Sequence, residues 1–324
     1  MREIILNFPK QFKKGALLAK DVKINSSETG GFKNIVICGL GGSALPANVL
    51  MTYIPNIEIP VYSHRSYGLP PQATEKSLIV CISYSGNTEE TLSAYQEAID
   101  KKLKVVAITT GGKLQELAQA NNLPIVIIPK DAPQPRFSLG YQCASLLTIL
   151  GNSKIITDQS KQLSKLTNDL KPEKFEKQGK ELAKKLKDKI PVIYSSARLR
   201  TIARIWKIGF NENSKIMAFF NYFPELNHNE MVGLTNLKGN FHFLIIKDKD
   251  DHPNNLKRMD LFADLAKEKG AEVDIIEMQG SSVLEKIFNT LSLGDWTTYY
   301  LALEYGQDPI PVKIVEEFKK RLIQ

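Results

Sequence analysis

Short apolar runs alternate with longer, mixed segments along the first half of the chain. The runs contain few charges, which is typical of strands buried on both faces of a parallel sheet. The segments between them repeat apolar residues at the spacing of an amphipathic helix. Strands are predicted at residues 34–38, 60–64, 78–82, 104–109 and 124–128. This strict alternation of strands and helices indicates a doubly wound parallel sheet.

The same alternation returns in the second half, after a lysine-rich helical stretch from about residue 153 to residue 189. Strands are predicted at residues 190–196, 216–220, 241–246 and 273–276, and helices at residues 283–305 and 312–323 end the chain. A helical lead-in interrupted at Pro9 precedes the first strand. We therefore predict two domains of the α/β class, residues 1–152 and 153–324, with mainly parallel sheets. Ligands of such sheets bind outside the carboxyl ends of the strands, so two similar halves suggest a ligand between them.

Composition places the chain among ordinary globular proteins. Its 324 residues suit two domains, and 43% are hydrophobic and 24% charged. No apolar run approaches the roughly 20 residues of a membrane span, and the first residues lack the apolar core of a signal peptide. Cys38, Cys81 and Cys143 lie in apolar contexts without the spacing of a metal site. We expect buried thiols in a cytoplasmic protein that has neither a metal nor a membrane partner.

The net charge of +8 raises the question of nucleic-acid binding. Much of the excess lies between Lys171 and Lys189 at helical spacing, where a solvated helix face explains it. No helix-turn-helix or aromatic RNA-binding signature accompanies it, so no nucleic-acid partner is predicted. The positive field would still attract an anionic substrate.

Candidate chemistry begins at a strand-to-helix turn rich in hydroxyl groups, at residues 83–91. Gly86 permits a tight turn, and Thr88 is a candidate N-cap before two glutamates suited to a first helical turn. A cap needs one hydroxyl, whereas Ser83, Ser85 and Thr88 supply three. We interpret them as a phosphate site at a helix N-terminus, the alternative being polar residues that only serve the cap.

Another turn, at residues 39–44, is rich in glycine and follows the first strand. It matches the relaxed dinucleotide fingerprint G-x-G-x-x-A. An NADP-dependent oxidoreductase is therefore an alternative function. The acid that would bind the ribose is missing, although Arg65 could meet a 2′-phosphate. Together with the serine-rich turn, this segment is better interpreted as part of a sugar-monophosphate site lined by Gly42 and Ser43.

The Gly-Gly-Ser turn together with Ser-x-Ser-Gly-x-Thr-x-Glu resembles the sugar isomerase (SIS) domain. Three further motifs, at residues 135–140, 211–215 and 225–233, are similar to those of archaeal-type bifunctional phosphoglucose/phosphomannose isomerases. The resemblance covers essentially the whole chain. It implies two SIS-type, flavodoxin-like domains and the interconversion of glucose 6-phosphate, and of mannose 6-phosphate, with fructose 6-phosphate. The implied reaction passes through a cis-enediol. No cofactor is predicted, because the sequence shows neither a metal cluster nor a complete dinucleotide site.

The resemblance also implies roles for individual residues. Glu212 is the base that moves a proton between C1 and C2, and Arg136 stabilises the enediolate charge. His228 opens the sugar ring and reaches the site from a neighbouring subunit, which implies a homodimer with shared active sites. Lys319 matches a substrate-contacting lysine, but lysines are also common in last helical turns because of the helix dipole.

Two points stay open at this stage. Val312 stands where some family members place a threonine near the C2 hydroxyl, which leaves the activity on mannose 6-phosphate undecided. A non-catalytic SIS module that senses sugar phosphates is a further alternative. Such modules usually carry one SIS copy and an attached domain, whereas two halves are predicted here.

Overall fold

A computed structural model describes residues 1–25 and 31–322, which form two compact units. The first unit comprises Asn7–Asp169, and the second comprises Met1–Leu6 together with the chain from Leu170 onward. Helix α1 (Arg2–Asn7) begins the chain, and Arg2 anchors it in the second unit through hydrogen bonds of 2.8 and 2.9 Å to the Glu176 carboxylate. Each unit is described by itself below.

The first unit is a five-stranded parallel sheet flanked by helices, with strand order β2-β1-β3-β4-β5. Every residue of the first and third strands is buried, which agrees with their continuous apolar sequence. Its helices are α2 (Lys10–Leu18), α3 (Leu45–Tyr53), α4 (Glu89–Asp100), α5 (Gly112–Ala120), α6 (Leu139–Asn152) and α7 (Ser160–Asp169). Its strands are β1 (Asn34–Cys38), β2 (Val61–His64), β3 (Ser77–Ser83), β4 (Lys104–Thr109) and β5 (Ile125–Ile127).

The second unit repeats the plan with four parallel strands in the order β7-β6-β8-β9. Its helices are α8 (Glu176–Leu186), α9 (Arg200–Glu212), α10 (Pro253–Glu268), α11 (Val283–Glu304) and α12 (Lys313–Leu322). Its strands are β6 (Ile190–Ser196), β7 (Phe219–Phe223), β8 (Phe241–Lys247) and β9 (Glu272–Glu277). The predicted α/β class with two parallel sheets is confirmed. The last residue of the final predicted helix, Ile323, lies outside the described residues.

The compact units divide after Asp169, whereas the sequence analysis divides the chain after residue 152. Helix α7 accounts for the difference, because it packs beside α2 in the first unit and buries Leu163 and Leu166 there. In the second unit, α8 packs closely on α11, where Gly179 leaves no room for a side chain against the Cβ of Trp296. Both α7 and α8 are polar, lysine-containing helices with one apolar face. The hydrophobic pattern therefore does not show that α7 packs in the first unit and α8 in the second.

Strand β7 begins three residues later than the sequence predicts. Lys215, three residues after the end of α9, adopts a left-handed conformation with φ of 61°. The backbone of Ile216 is then bonded to the helix end, donating to the Phe210 carbonyl and accepting from Asn211 Nδ2. Because these groups close the helix, pairing with β6 starts only at Phe219.

Both sheets have their topological switch point beside their first strand. In the first sheet it lies between β1 and β3, and in the second between β6 and β8. Ligands of doubly wound sheets bind at such points, outside the carboxyl ends of the strands. The carboxyl ends of β1 and β3 lead into a 3-10 turn at Gly41–Ala44 and into the hydroxyl turn (residues 83–88).

The three cysteines are buried thiols without disulfide partners, as the sequence predicts. Across residues 1–25 and 31–322, no helix combines the length and apolarity that a bilayer crossing requires.

Candidate functional site

The hydroxyl turn holds its side chains through local hydrogen bonds. Ser83 Oγ accepts the Gly86 N–H at 3.1 Å and lies 3.0 Å from Thr88 Oγ1, while Ser85 Oγ accepts the Asn87 N–H at 3.2 Å. Gly86 has φ of 72°, and a Cβ there would lie 1.7 Å from the Gly111 carbonyl oxygen. A glycine is therefore required for this turn, as the sequence predicts.

Thr88 occupies the N-cap position of α4, as the sequence predicts. Its side chain makes no hydrogen bond to the helix, because the hydroxyl pairs with Ser83 instead. Glu89 and Glu90 do lie in the first turn, as predicted. The positive end of the α4 dipole thus lies beside a hydroxyl pair, an arrangement that favours a bound anion.

The glycine-rich turn lies against the segment that carries Arg136. A Cβ on Gly42 would come within 2.7 Å of the Arg136 backbone nitrogen, so only glycine permits this approach. Ser43 is buried, and its Oγ accepts the Tyr84 N–H at 3.0 Å. The Arg136 guanidinium lies over the Phe137 ring, 4.3 Å from its centroid. The first unit therefore brings both turns and Arg136 together.

Sequence reasoning missed Tyr84, which joins these segments. Its phenol donates to the Ala132 carbonyl at 2.5 Å and accepts the Ala132 N–H at 3.1 Å. The signal in the sequence was an aromatic residue between two serines of a polar turn. Such a residue must be either exposed or buried with a partner for its hydroxyl.

Glu212 is the last residue of α9, in the second unit. Lys215 Nζ donates to the Glu212 carbonyl at 2.5 Å and to the Pro311 carbonyl at 2.6 Å. The next two residues are tied to α11, because Asn213 Nδ2 donates to Thr298 Oγ1 at 2.9 Å and Ser214 Oγ to the Thr298 carbonyl at 2.8 Å. The helix end is thereby fixed, while the Glu212 carboxylate stands at the negative end of the helix dipole.

His228 ends a 3-10 turn, Glu225–His228, and its side chain is exposed. The residues after it are held firmly. Asn229 Nδ2 donates to Glu225 Oε1 at 2.8 Å, and Glu230 accepts hydrogen bonds from Asn221 and, at 2.6 Å, from the Tyr194 phenol. Burial, together with this bond to a carboxylate, raises the pKa of Tyr194. A fixed segment therefore presents an exposed imidazole.

Lys319 lies in the last turn of α12, all of whose described residues are outside the core. Large apolar side chains of the same helix are also exposed, with Ile314 at 80% and Phe318 at 62%. Nothing in this helix orients Lys319 toward a described partner, so its assignment stays a prediction.

The switch point of the second sheet carries ion pairs in place of a hydroxyl turn. Asp248 accepts Lys286 Nζ at 2.6 Å and an Arg198 guanidinium nitrogen at 2.7 Å. Ser196, which ends β6, donates to Asp251, and that carboxylate lies 3.7 Å from Arg198. Burial opposes ionisation of Asp248, but the bonds from Lys286 and Arg198 lower its pKa below the ordinary value. Lys286 and Arg198 at this switch point are therefore already paired with the carboxylates of Asp248 and Asp251.

Two features bear on cofactors. Arg65, the candidate for a 2′-phosphate, donates instead to the Asn48 side chain. Within residues 1–25 and 31–322, no group of three or more His, Cys, Asp or Glu has the arrangement of a metal site.

Comparison with known proteins identifies the family of the chain. Residues 32–148 match the SIS domain, and residues 175–322 match the Bacterial phospho-glucose isomerase C-terminal SIS domain. The chain is 40% identical over 338 residues to the Bifunctional phosphoglucose/phosphomannose isomerase of Caldicellulosiruptor bescii, covering 100% of this chain and 99% of the relative. The chain belongs to the bifunctional phosphoglucose/phosphomannose isomerase family. The predicted family membership is confirmed.

A further member of the bifunctional phosphoglucose/phosphomannose isomerase family, from Aquifex aeolicus, is 37% identical over 295 residues, with 90% of this chain and 91% of the relative covered. Among solved structures, the C-terminal domain of glucosamine-fructose-6-phosphate aminotransferase from Francisella tularensis superposes with a TM-score of 0.76. That match covers 96% of this chain and 98% of the other at 17% identity, and it shows the shared fold alone.

Proposed function

We propose that this protein interconverts fructose 6-phosphate with glucose 6-phosphate, and with mannose 6-phosphate, through a cis-enediol. The observation that carries the proposal is the end-to-end similarity to a relative named for this pair of activities, at 40% identity. The residues that the reaction needs occur in the motifs that the sequence analysis assigns to it.

The hydroxyl turn supplies the phosphate site in this proposal. Ser83, Ser85 and Thr88 would donate to phosphate oxygens together with N–H groups at the start of α4. Support comes from the position of the turn at the switch point of the first sheet and from the 3.0 Å pairing of Ser83 with Thr88. Gly42 and Ser43 line the same strand ends.

The proton transfer is assigned to Glu212. Isomerisation removes a proton from C1 or C2 and returns it to the other carbon on the same face, so a single carboxylate can serve both directions. Its fixed position at the end of α9 would hold the carboxylate at one distance from both carbons. Arg136 would stabilise the negative charge that develops on the enediolate oxygens. Lys319 is assigned a supporting contact with substrate.

Ring opening is assigned to His228, whose imidazole would pass a proton between the ring oxygen and O1 near neutral pH. We propose that it acts in the active site of a partner subunit in a homodimer. Its exposure at the end of a rigid segment supports this assignment. We place the reaction in the cytoplasm, because the three buried cysteines carry no disulfide.

A direct assay tests the proposal. Purified protein is incubated with fructose 6-phosphate, and the products are resolved by NMR so that glucose and mannose 6-phosphates are counted separately. We expect both products, no need for a nicotinamide and full activity after EDTA treatment. Binding of the sugar phosphate without turnover would instead favour the sensing module, and turnover that needs NADP would favour the oxidoreductase.

The Glu212→Gln variant tests whether Glu212 is the base. We expect kcat to fall by about 10²- to 10⁴-fold, because the amide cannot accept the proton while its volume is nearly unchanged. A variant with wild-type kcat would remove Glu212 from the mechanism.

Shared sites are tested by mixing two inactive variants, His228→Ala and Glu212→Gln. If each site takes His228 from the partner, a heterodimer has one site with both defects and one with neither. About half of the wild-type activity per heterodimer is then expected. Verified subunit exchange without recovered activity would place both residues in one chain's site or make His228 structural.

A further inference from the structure

Tyr84 is buried within the exposed hydroxyl turn. It is 7% exposed, although its neighbour Ser85 lies at the surface. A buried phenol in a polar turn needs hydrogen-bond partners, since an unsatisfied hydroxyl in the interior costs about 1–3 kcal/mol. The hydrogen bonds of Tyr84 reach the two other segments of the candidate site: its N–H donates to Ser43, and its phenol bonds Ala132.

The backbone of Tyr84 ties the hydroxyl turn to its surroundings. Its N–H donates to Ser43 Oγ at 3.0 Å, so the glycine-rich turn is held directly against it. Its carbonyl accepts from the Thr110 N–H at 3.2 Å and from Thr110 Oγ1 at 2.7 Å, at the end of β4. The position of the Tyr84 backbone is therefore set by the strand ends on both sides.

The phenol extends from this fixed point to the segment that carries Arg136. It bonds both the N–H and the carbonyl of Ala132, a buried residue four positions before Arg136. Pro133 and Pro135 fix φ at alternate positions between them, so few torsions remain free along the segment. A hydrogen-bonded Ala132 therefore limits where Arg136 can lie.

The far side of Arg136 is held by different residues. Gln11 Nε2 donates to the Phe137 carbonyl at 2.7 Å, and Ser138 Oγ donates to the Pro135 carbonyl at 2.7 Å. Of the two anchors, only Tyr84 also belongs to the hydroxyl turn. Tyr84 thus links the hydroxyl turn to the segment that leads to Arg136, in addition to the close approach of Gly42 to the Arg136 backbone.

We propose that Tyr84 is a positioning residue, which sets the location of Arg136 relative to the phosphate held by the hydroxyl turn. This inference rests on the proposed function, because it assumes that both groups act on one sugar phosphate. The phenol does not touch substrate; it acts through Ala132. Burial also raises the pKa of Tyr84, which keeps the hydroxyl protonated as a donor at neutral pH.

The test is Tyr84→Phe, which keeps the ring and removes both bonds to Ala132. We expect kcat with fructose 6-phosphate to fall about tenfold or more, since small misplacements of a catalytic group are costly. We expect KM and the dissociation constant of inorganic phosphate to change by less than about twofold, because the hydroxyls of the turn are untouched.

Tyr95→Phe is the matched control. Tyr95 is fully buried in α4 of the same unit, and its phenol accepts Asn121 Nδ2 at 3.0 Å, away from the site. We expect this variant to lose comparable thermal stability and to keep kcat. A kcat loss of the same size in both variants would reduce Tyr84 to a structural residue.

Hydrogen exchange of peptides covering residues 131–138 gives a readout that does not depend on activity. Tyr84→Phe should exchange the Ala132 amide faster, whereas Tyr95→Phe should not. Unchanged exchange, or an equal loss in phosphate affinity and kcat, would overturn the positioning role. If the wild-type protein fails to isomerise fructose 6-phosphate, the proposed function fails, while the exchange result still decides whether Tyr84 fixes the Arg136 segment.

Discussion

Ser85 presents its hydroxyl at the surface of the hydroxyl turn, whereas Ser83 is fully buried beneath it. The two serines therefore differ in what they can offer a ligand. The Ser83 oxygen already accepts the Gly86 N–H and pairs with Thr88, so part of its capacity maintains the turn. Ser85 has one local bond, of 3.2 Å, and an open side.

Ser85→Ala should accordingly weaken phosphate binding without disturbing the turn. A hydrogen bond to a charged group is worth about 1.5–3 kcal/mol, so KM should rise about tenfold or more while kcat changes little. Steady-state kinetics with fructose 6-phosphate measure both. Ser93→Ala, which removes a hydroxyl that accepts the Gly68 N–H in the same unit, should leave KM as it is. An unchanged KM in Ser85→Ala would place the phosphate elsewhere.

For individual residues, the sequence predicts which side chains lie at the candidate site, because parallel strands bring their carboxyl ends to the same edge of the sheet. It does not predict how each hydroxyl is used. Ser43 looks from spacing alone like a ligand residue, yet its oxygen takes the Tyr84 N–H. Thr88 looks like a helix cap, yet its hydroxyl bonds Ser83. Such choices depend on distances of a few tenths of an ångström, which no spacing encodes.

The hydroxyl turn as an element depends on Gly86. Replacement by alanine would place a Cβ 1.7 Å from the Gly111 carbonyl at a positive φ, so the turn or the neighbouring loop must shift. We expect Gly86→Ala to lower the free energy of unfolding by about 2 kcal/mol or more, as measured by urea denaturation. Gly233→Ala is the control, because a Cβ at Gly233 meets nothing within 4 Å. Equal stability of the two variants would contradict the close approach.

Strands β8 and β9 are joined by a buried histidine and a carboxylate. Asp274 Oδ2 lies 2.8 Å from His242 Nε2, and this bond, aided by Lys185, lowers the pKa of Asp274 to about 2. A depressed carboxyl pKa stabilises the fold above the ordinary value of 3.8, and this contribution is lost as the pH falls through about 2.

Asp274→Asn should therefore remove about 2 kcal/mol of stability at neutral pH and flatten the loss of stability between pH 3.8 and about 2. Urea midpoints across this pH range measure the effect. The control is Asp260→Asn, which breaks the ion pair between Asp260 and Lys247. Because the Asp260 side chain is 51% exposed, its loss should lower the free energy of unfolding by less than about 1 kcal/mol. Parallel pH curves for wild type and Asp274→Asn would contradict the assignment.

Elements buried on both faces are the ones that the sequence predicts best. β1 and β3 match because continuous apolar runs have no competing interpretation at that length. β7 is displaced because its apolar run continues backward into residues that close α9, and hydrophobicity alone does not separate the two uses. The left-handed Lys215 marks the boundary, and lysine carries no signal for that conformation.

In the whole molecule, two sheets of similar topology offer two switch points, but their chemistry differs. The first carries hydroxyls and a helix N-terminus, and the second carries Asp248 and Asp251 already paired with Arg198 and Lys286. A phosphate entering the second would have to displace bonded carboxylates, which costs more than it gains.

One substrate phosphate per chain is therefore expected. Calorimetric titration with inorganic phosphate should give one equivalent per chain, and Ser85→Ala should weaken that single event. Two equivalents per chain, or binding that Arg198→Ala removes and Ser85→Ala spares, would contradict the assignment.

The buried ion pair of Asp248 with Lys286 and the exposed hydroxyl turn should respond differently to added salt. Both side chains are nearly inaccessible, 4% and 7% exposed, so dissolved ions cannot enter between them. The hydroxyl turn faces solvent at Ser85, where mobile ions compete with a phosphate and screen its attraction to the protein. Raising the ionic strength should thus raise KM for the sugar phosphate while the buried pair of Asp248 with Lys286 at the second sheet's switch point stays formed.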